Sequence, residues 1–285
     1  VSNTLKTTVL LAAIGGLLVA VGSVLGGSNG AIIGLVLGVG IVGFSYWKSD
    51  ALAIRAAKAT PADPAQYPEY FRIVTELCQR AELPMPKLYI SPAEQPNAFA
   101  TGRNPEHSAV AVTEGLMRIC SWDEIQGVLA HELSHVGNRD ILIGSVAAAV
   151  ATGISFIANM AMWGAMFGGG GRDRDRDANP IILLLTALLA PMAAGLLQMA
   201  LSRSREFEAD RSGARLLGTG EPLARALEKL EVAAKQIPMD IAPAQAQAYI
   251  VNPLTGREVK FANLFRTHPE TSERIARLRA MSFSA

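Results

Sequence analysis

Leu129-Ala130-His131-Glu132-Leu133-Ser134-His135-Val136 is the stretch from which the rest of the chain is read. It has the pattern His-Glu-x-x-His, and its surroundings predict a helix. Ser121 followed by Glu124 makes a capping box, and Ile125, Val128, Leu129 and Leu133 recur at helical spacing. Residues i and i+4 of a helix stack on one face, so His131 and His135 can aim two imidazoles at one metal ion. Glu132, one position round, can reach a water molecule on that metal. A surface helix can match the pattern by accident, but only four histidines exist in the chain and two fall in it. The spacing points to a zinc hydrolase.

The composition points to a bilayer. Apolar residues make up 50% of the 285 and charged residues 18%, below the roughly 25% usual in soluble domains. Few are aromatic, so the apolar weight lies in Ala, Leu, Ile, Val and Gly. A net charge of +1 and the lack of a basic cluster with interleaved aromatics argue against a nucleic-acid partner. Cys78 and Cys120 lie far apart and suit neither a disulfide framework nor a thiolate zinc site.

Four long apolar stretches flank the motif: Thr7 to Gly27, Ala31 to Trp47, Ile141 to Gly171, and Ile181 to Leu201. The first, at 1.5 Å per residue, spans roughly 31 Å, enough for a hydrocarbon core. A cleaved leader is the competing reading, but the stretch is long for one and a second follows at once. Ser28-Asn29-Gly30 reads as the turn of a hairpin. Gly30, Gly34 and Gly38 form a small-residue face on which two membrane helices can meet closely. Lys6 precedes this hairpin and Lys48, Arg55 and Lys58 follow it, which places both flanks in the cytoplasm. Between the third and fourth stretches lies an alternating Arg-Asp loop, Arg172 to Asp177. A buried core hairpin is the plainer reading of that region. Its two long uncharged runs favour membrane insertion.

Between the hairpins, residues 60–70 read as a Pro-rich linker and 69–82 as an amphipathic helix with Phe71, Val74, Leu77 and Cys78 on one face. Lys87 to Ile90, Asn97 to Thr101 and Ala109 to Val112 read as strands of a small antiparallel sheet. After the fourth stretch, a helix bearing Glu206 and Asp210 runs to Gly218, and Pro222 starts another. Ala248 to Val251 suits a strand, and Thr267-His268-Pro269 opens a capped terminal helix.

A catalytic zinc needs three protein ligands and an open position. His268, His107 and the helical carboxylates are the candidates for the third. His107 has the polar turn context of a solvated side chain. Glu206 is the best placed, because the hairpin from Ile141 to Leu201 returns the chain to the membrane face from which it left. Solvation beside Arg203 or Arg205 is the default for such a glutamate. Asp210, one turn on, can hydrogen-bond the far nitrogen of a ligating histidine. Glu208 points away.

Taken together, these features resemble the HtpX family of integral-membrane zinc metalloproteases, related to the CaaX-prenyl endopeptidases. The resemblance rests on the N-terminal hairpin, Pro96-Asn97-Ala98-Phe99-Ala100-Thr101-Gly102, His131-Glu132-x-x-His135, Arg205-Glu206-Phe207-x-Ala209-Asp210 and Thr267-His268-Pro269. It implies a mainly α, four-span helical membrane protein with a zincin-like (gluzincin) α+β catalytic domain in the cytoplasm. The expected division is 1–48 and 141–202 as membrane hairpins, with 49–140 and 203–285 as the two parts of the protease domain. The resemblance also implies Glu206 as third ligand of one Zn2+ per chain. Glu132 is the expected general base for a metal-activated water, and Asn97, Ala98, Phe99 and Ala100 the edge strand that takes an extended substrate. His268 is expected as an oxyanion donor or a gate. The expected setting is the bacterial inner membrane, multi-pass, with active site and both termini cytoplasmic. Unfolded or damaged membrane proteins are the expected substrates, and the bilayer and other membrane quality-control factors the expected partners. Two other classes fit less well. A non-catalytic factor that binds unfolded segments would not need Glu132, and a transporter would need charged residues within its spans.

Overall fold

The computed structural model describes residues 3–142, 203–236, 250 and 269–283, with only part of the side chains of the first helix. The predicted spans 141–171 and 181–201 therefore lie almost wholly outside the described residues, as do His268 and most of the predicted strand at 248–251.

The first helix, α1, runs Asn3–Ala56 and passes through the predicted turn at Ser28-Asn29-Gly30. Directly before that turn, Gly27 takes φ 57°, a left-handed conformation that glycine adopts without a Cβ penalty. Beyond it Ile32, Ile33, Leu35, Val36, Val39, Phe44 and Trp47 are all exposed. Among the described residues, no helix is long and apolar enough to cross a membrane.

The predicted linker does not stay free. Thr60–Pro61 forms a two-residue strand, β1, and Pro68–Ala81 forms helix α2. Proline suits the first turn of α2, where its missing N–H is no loss. Tyr70, Ile73, Val74, Leu77 and Cys78 make the buried face, and Glu82 ends the helix in a left-handed conformation. Phe71, expected on that face, is only partly buried.

Strands β2 (Lys87–Ser91), β3 (Ala98–Gly102) and β4 (Ser108–Thr113) follow, then a short helix α3 (Glu114–Ile119). The sheet has the order β1-β2-β4-β3. It is mixed, not antiparallel as expected: β2 pairs with β4 in parallel, from Lys87↔Ala109 to Ser91↔Thr113. The two outer pairings, β1–β2 and β3–β4, are antiparallel. Consecutive strands suggest a meander, but β2 and β3 are not neighbours. β4 inserts between them, and all six of its side chains are buried, so no polar face marks it as an edge. β3 is left at the rim.

Helix α4 (Trp122–Gly137) is the hub, touching α2, β3 and two later helices. Its predicted capping box is present: the Glu124 N–H donates to Ser121 Oγ (3.4 Å) and the Ser121 N–H to Glu124 Oε2 (2.7 Å). The later helices are α5 (Arg203–Leu217) and α6 (Glu221–Gln236), separated by Gly218 at φ 72°. α7 (Thr271–Ala280) closes the described chain against α5 and α6. It begins after Glu270, whose side chain makes no cap hydrogen bond; Thr267 and His268 of the expected capped start lie outside the described residues. Two glycines let α4 be approached closely. A Cβ on Gly127 would sit 2.4 Å from the Leu223 nitrogen of α6. One on Gly213 of α5 would sit 2.9 Å from the His131 nitrogen.

Candidate metal centre

The approach at Gly213 sets the site. Glu206, Asp210 and Gly213 follow one another at intervals of four and three residues, so they share one face of α5. Where Gly213 lets the two backbones touch, that face must lie over His131. All three of His131, Glu206 and Asp210 are buried.

His131 Nε2 and His135 Nε2 are 3.2 Å apart. Glu206 reaches both: Oε2 lies 3.7 Å from His131 Nε2 and Oε1 lies 3.6 Å from His135 Nε2. The two rings are nearly perpendicular, at 86°, so both nitrogens face a common point from different directions. One ligand atom from each of the three residues falls within 4.8 Å of the others. A tetrahedral ion with bonds of about 2.0–2.1 Å needs ligand atoms about 3.3 Å apart. The observed spacings therefore suit zinc held by these three ligands. The charge suits it too. Burial alone would lower His135, but hydrogen bonding to Asp140 and the charges of Glu206, Glu132 and Asp140 push it up to about 9. So much negative charge around two imidazoles favours a divalent cation.

The far nitrogens are also met. His131 Nδ1 lies 2.9 Å from Asp210 Oδ1, although its N–H is not aimed squarely along that line. His135 Nδ1 lies 3.2 Å from Asp140 Oδ2. Behind Asp210 stands Arg274 of α7, itself fully buried. Its Nε and Nη2 donate to the two Asp210 oxygens at 2.9 and 2.7 Å. Burial opposes the charge of both partners. The guanidinium, with His131, outweighs it and holds the Asp210 carboxyl down at about 2. Arg274 Nη1 also donates to the Ile250 carbonyl (3.1 Å), and the Ile250 N–H donates to Asn97 Oδ1 (3.1 Å). An unbroken line of buried polar contacts thus joins Asn97 to a metal-ligating histidine.

Glu132 is buried, and its Oε2 accepts the Ala100 N–H at 2.9 Å. That bond tells which way β3 faces. In an antiparallel pair, residues alternate between those bonded to the partner and those whose N–H and C=O point outward. Ala100 gives its N–H to Glu132, so Ala98 and Ala100 present their backbone groups to the side of β3 away from β4, where no other described strand pairs with it. Phe99 and Ala100 are half-buried there and Ala98 is buried. Asn97 is also buried, and its side chain serves Ile250. Burial pushes the Glu132 carboxyl up, reinforced by Glu206. The two histidines and the Ala100 amide pull it down by less.

Of the other sequence candidates, His107 is exposed and contacts Asn104 (2.8 Å), and Glu208 is exposed beside Arg211 (3.2 Å). Sequence reading missed Asp140 and Arg274. Asp140 was legible as the carboxylate just past the helix end. Arg274 carried no local signal, because Asp210, the site residue it grips, lies 64 residues away in the chain.

The chain matches peptidase family M48 over residues 64–282. It is 50% identical over 281 residues to a protease HtpX homolog of Pelotomaculum thermopropionicum, covering 98% of this chain and 99% of that one. To a protease HtpX homolog of Syntrophobacter fumaroxidans it is 52% identical over 279 residues, covering 97% and 98%. Among solved structures it is similar to the crystal structure of Ste24p from S. mikatae, with a TM-score of 0.54 at 19% identity. That match covers 97% of this chain but only 65% of Ste24p, and the likeness is one of fold.

Proposed function

This chain belongs to peptidase family M48 as an HtpX-type zinc metalloprotease with His131, His135 and Glu206 as its metal site, and from that premise we propose that it is a membrane-anchored endopeptidase. Its substrates in this reading are misfolded or damaged membrane proteins, cut at the cytoplasmic face of a bacterial inner membrane. The observation that carries the reading is the position of Glu132, between the metal ligands and the outward edge of β3.

Bound zinc supplies a Lewis acid for the scissile carbonyl and lowers the pKa of water towards about 7. Glu132 is the base that takes the proton of the attacking water and passes it to the leaving amine. A carboxyl held up by burial suits both halves of that exchange. Asp210 fixes the tautomer and direction of His131. An extended substrate adds to β3 as a further strand, bonding to the outward groups of Ala98 and to the Ala100 carbonyl, while the Ala100 N–H stays with Glu132. Because those are backbone groups, cleavage depends little on side-chain identity. Asn97 acts in this scheme by holding the strand's start. His268 donates to the developing oxyanion or gates the metal.

The bilayer enters through α1. A row of seven exposed large apolar residues from Ile32 to Trp47 is costly in water and suits lipid. In this reading residues 1–48 form a membrane hairpin, and 141–202 form a second hairpin inserted between the protease parts 49–140 and 203–285. Both ends of the chain then lie in the cytoplasm. Other membrane quality-control factors are its natural neighbours.

The decisive experiment compares the full chain with Glu132→Ala for zinc content and hydrolysis of an unstructured protein. The expected result is one zinc in each and hydrolysis lost from the variant. Equal cleavage by the two would overturn the assignment. The same variant, expressed in native membrane, should trap substrates for identification.

A further inference from the structure

The turn that ends α4 also serves the metal site. Arg139 takes φ 58°, and its N–H donates to the Val136 carbonyl (3.1 Å). The next N–H, of Asp140, donates to the His135 carbonyl (2.9 Å). This pair of bonds satisfies two carbonyls left open at a helix end, and the left-handed residue reverses the chain to make them. The reversal has a side-chain consequence. Asp140 returns over the residue whose carbonyl it binds, and its Oδ2 comes to 3.2 Å from His135 Nδ1.

His135 has two polar ring atoms. Nε2 faces His131 and Glu206, and Nδ1 meets Asp140. A carboxylate on the far nitrogen leaves the near one as a lone-pair donor, fixes the ring's direction and raises its basicity. Asp140 is buried, so water does not dilute the contact. The left-handed conformation is disfavoured for a residue with a Cβ, and glycine is the usual choice at this position of a cap. Arg139 holds it with an exposed side chain, so a substitution there acts through the backbone. We infer that Asp140 is a positioning residue of the zinc site, placed on His135 by the left-handed turn at Arg139. The inference rests on zinc binding at His131, His135 and Glu206.

The test uses the full chain in detergent, with zinc affinity measured against a competing chelator and ligand geometry read from the absorption spectrum of the cobalt-substituted protein. Asp140→Ala should weaken zinc binding by about 10–100-fold and shift the cobalt spectrum. Asp140→Asn, which keeps an acceptor oxygen, should recover much of both. Arg139→Gly, which accepts the conformation freely, should bind zinc like the parent. Arg139→Val, β-branched and averse to it, should move towards Asp140→Ala with every ligand intact. Parental affinity and spectrum in Asp140→Ala would overturn the role of Asp140, and the same result in Arg139→Val would overturn that of the turn. If Asp140→Ala fails to fold, the Arg139 pair still decides. A parent chain that binds no zinc would refute the metal site itself.

Discussion

His131 and His135 stand one turn apart on α4 and face one point, yet they are held by opposite means. His135 is met by Asp140, five residues downstream, delivered by the turn that ends its own helix. His131 is met by Asp210 from α5, which is gripped by Arg274 from α7. Arg274 in turn binds the Ile250 carbonyl, and Ile250 binds Asn97 at the start of β3. One imidazole is thus oriented by chain connectivity and the other by the packing of four separate segments. The local support forms whenever α4 and its cap form. The distant one exists only when the whole domain has closed. A metal site built this way assembles fully only on a finished fold.

The comparison breaks most sharply at Arg274. Replacing it with Ala leaves Asp210 buried without its cation, which should cost about 3–5 kcal/mol. Thermal unfolding of the metal-free protein should fall by roughly 10 °C, on the usual scaling for domains of this size. Arg274→Lys keeps the charge but cannot bridge both Asp210 oxygens, and should fall between. Unfolding of Arg274→Ala at the parental temperature would mean that the distant support carries no weight.

Gly213→Ala probes the same half more gently. The added Cβ would meet the His131 backbone at 2.9 Å, so α5 must move away from α4. The expected cost is about 1–3 kcal/mol, with weaker zinc binding because Glu206 rides on the displaced face. Zinc affinity equal to the parent's would show that α5 can shift without carrying its ligand.

At the local end, Ser121→Ala removes one arm of the capping box and should cost about 1 kcal/mol with zinc affinity unchanged. That contrast between stability and affinity sharpens the comparison. Acid should act on the same end. Burial alone would raise the Glu124 carboxyl, but Lys229 (2.7 Å away) and the Ser121 amide hold it below its ordinary value. A carboxylate with a lowered folded pKa stabilises fully above the unfolded value of about 4 and loses that contribution as pH falls through the folded one. Glu124→Gln should therefore unfold at a lower temperature than the parent at pH 7. The gap should close as the pH is taken well below 4.

Much of the site was legible in the sequence because its signals are local. His131, Glu132 and His135 share a face by helical arithmetic, and Ser121 and Glu124 mark where that helix starts. Glu206 came from a topological argument, that the chain returns to the face from which it left, and the cluster bears it out as a ligand. Asp140 lay within reach of the same local reasoning. Arg274 did not. On α7 it looks like any arginine of an amphipathic helix, and only the fold turns it inward. The sheet went the same way. Three short strands in succession suggest a meander, and the parallel pairing of β2 with β4 depends on which strands meet, a property of no one of them.

By itself, then, the sequence determined the metal-ligand pattern, the helix that carries it and the apolar runs beside it. These follow from spacing along the chain, and spacing is what a sequence records. Only the tertiary structure decided that Asn97 serves Ile250, that Ala100 gives its amide to Glu132, and that Arg274 stands behind Asp210. A buried polar group takes whatever partner packing brings within hydrogen-bonding distance, and leaving it unpaired costs too much for the fold to ignore. Those partners come from segments far apart in the chain, and nothing short of the closed fold selects them.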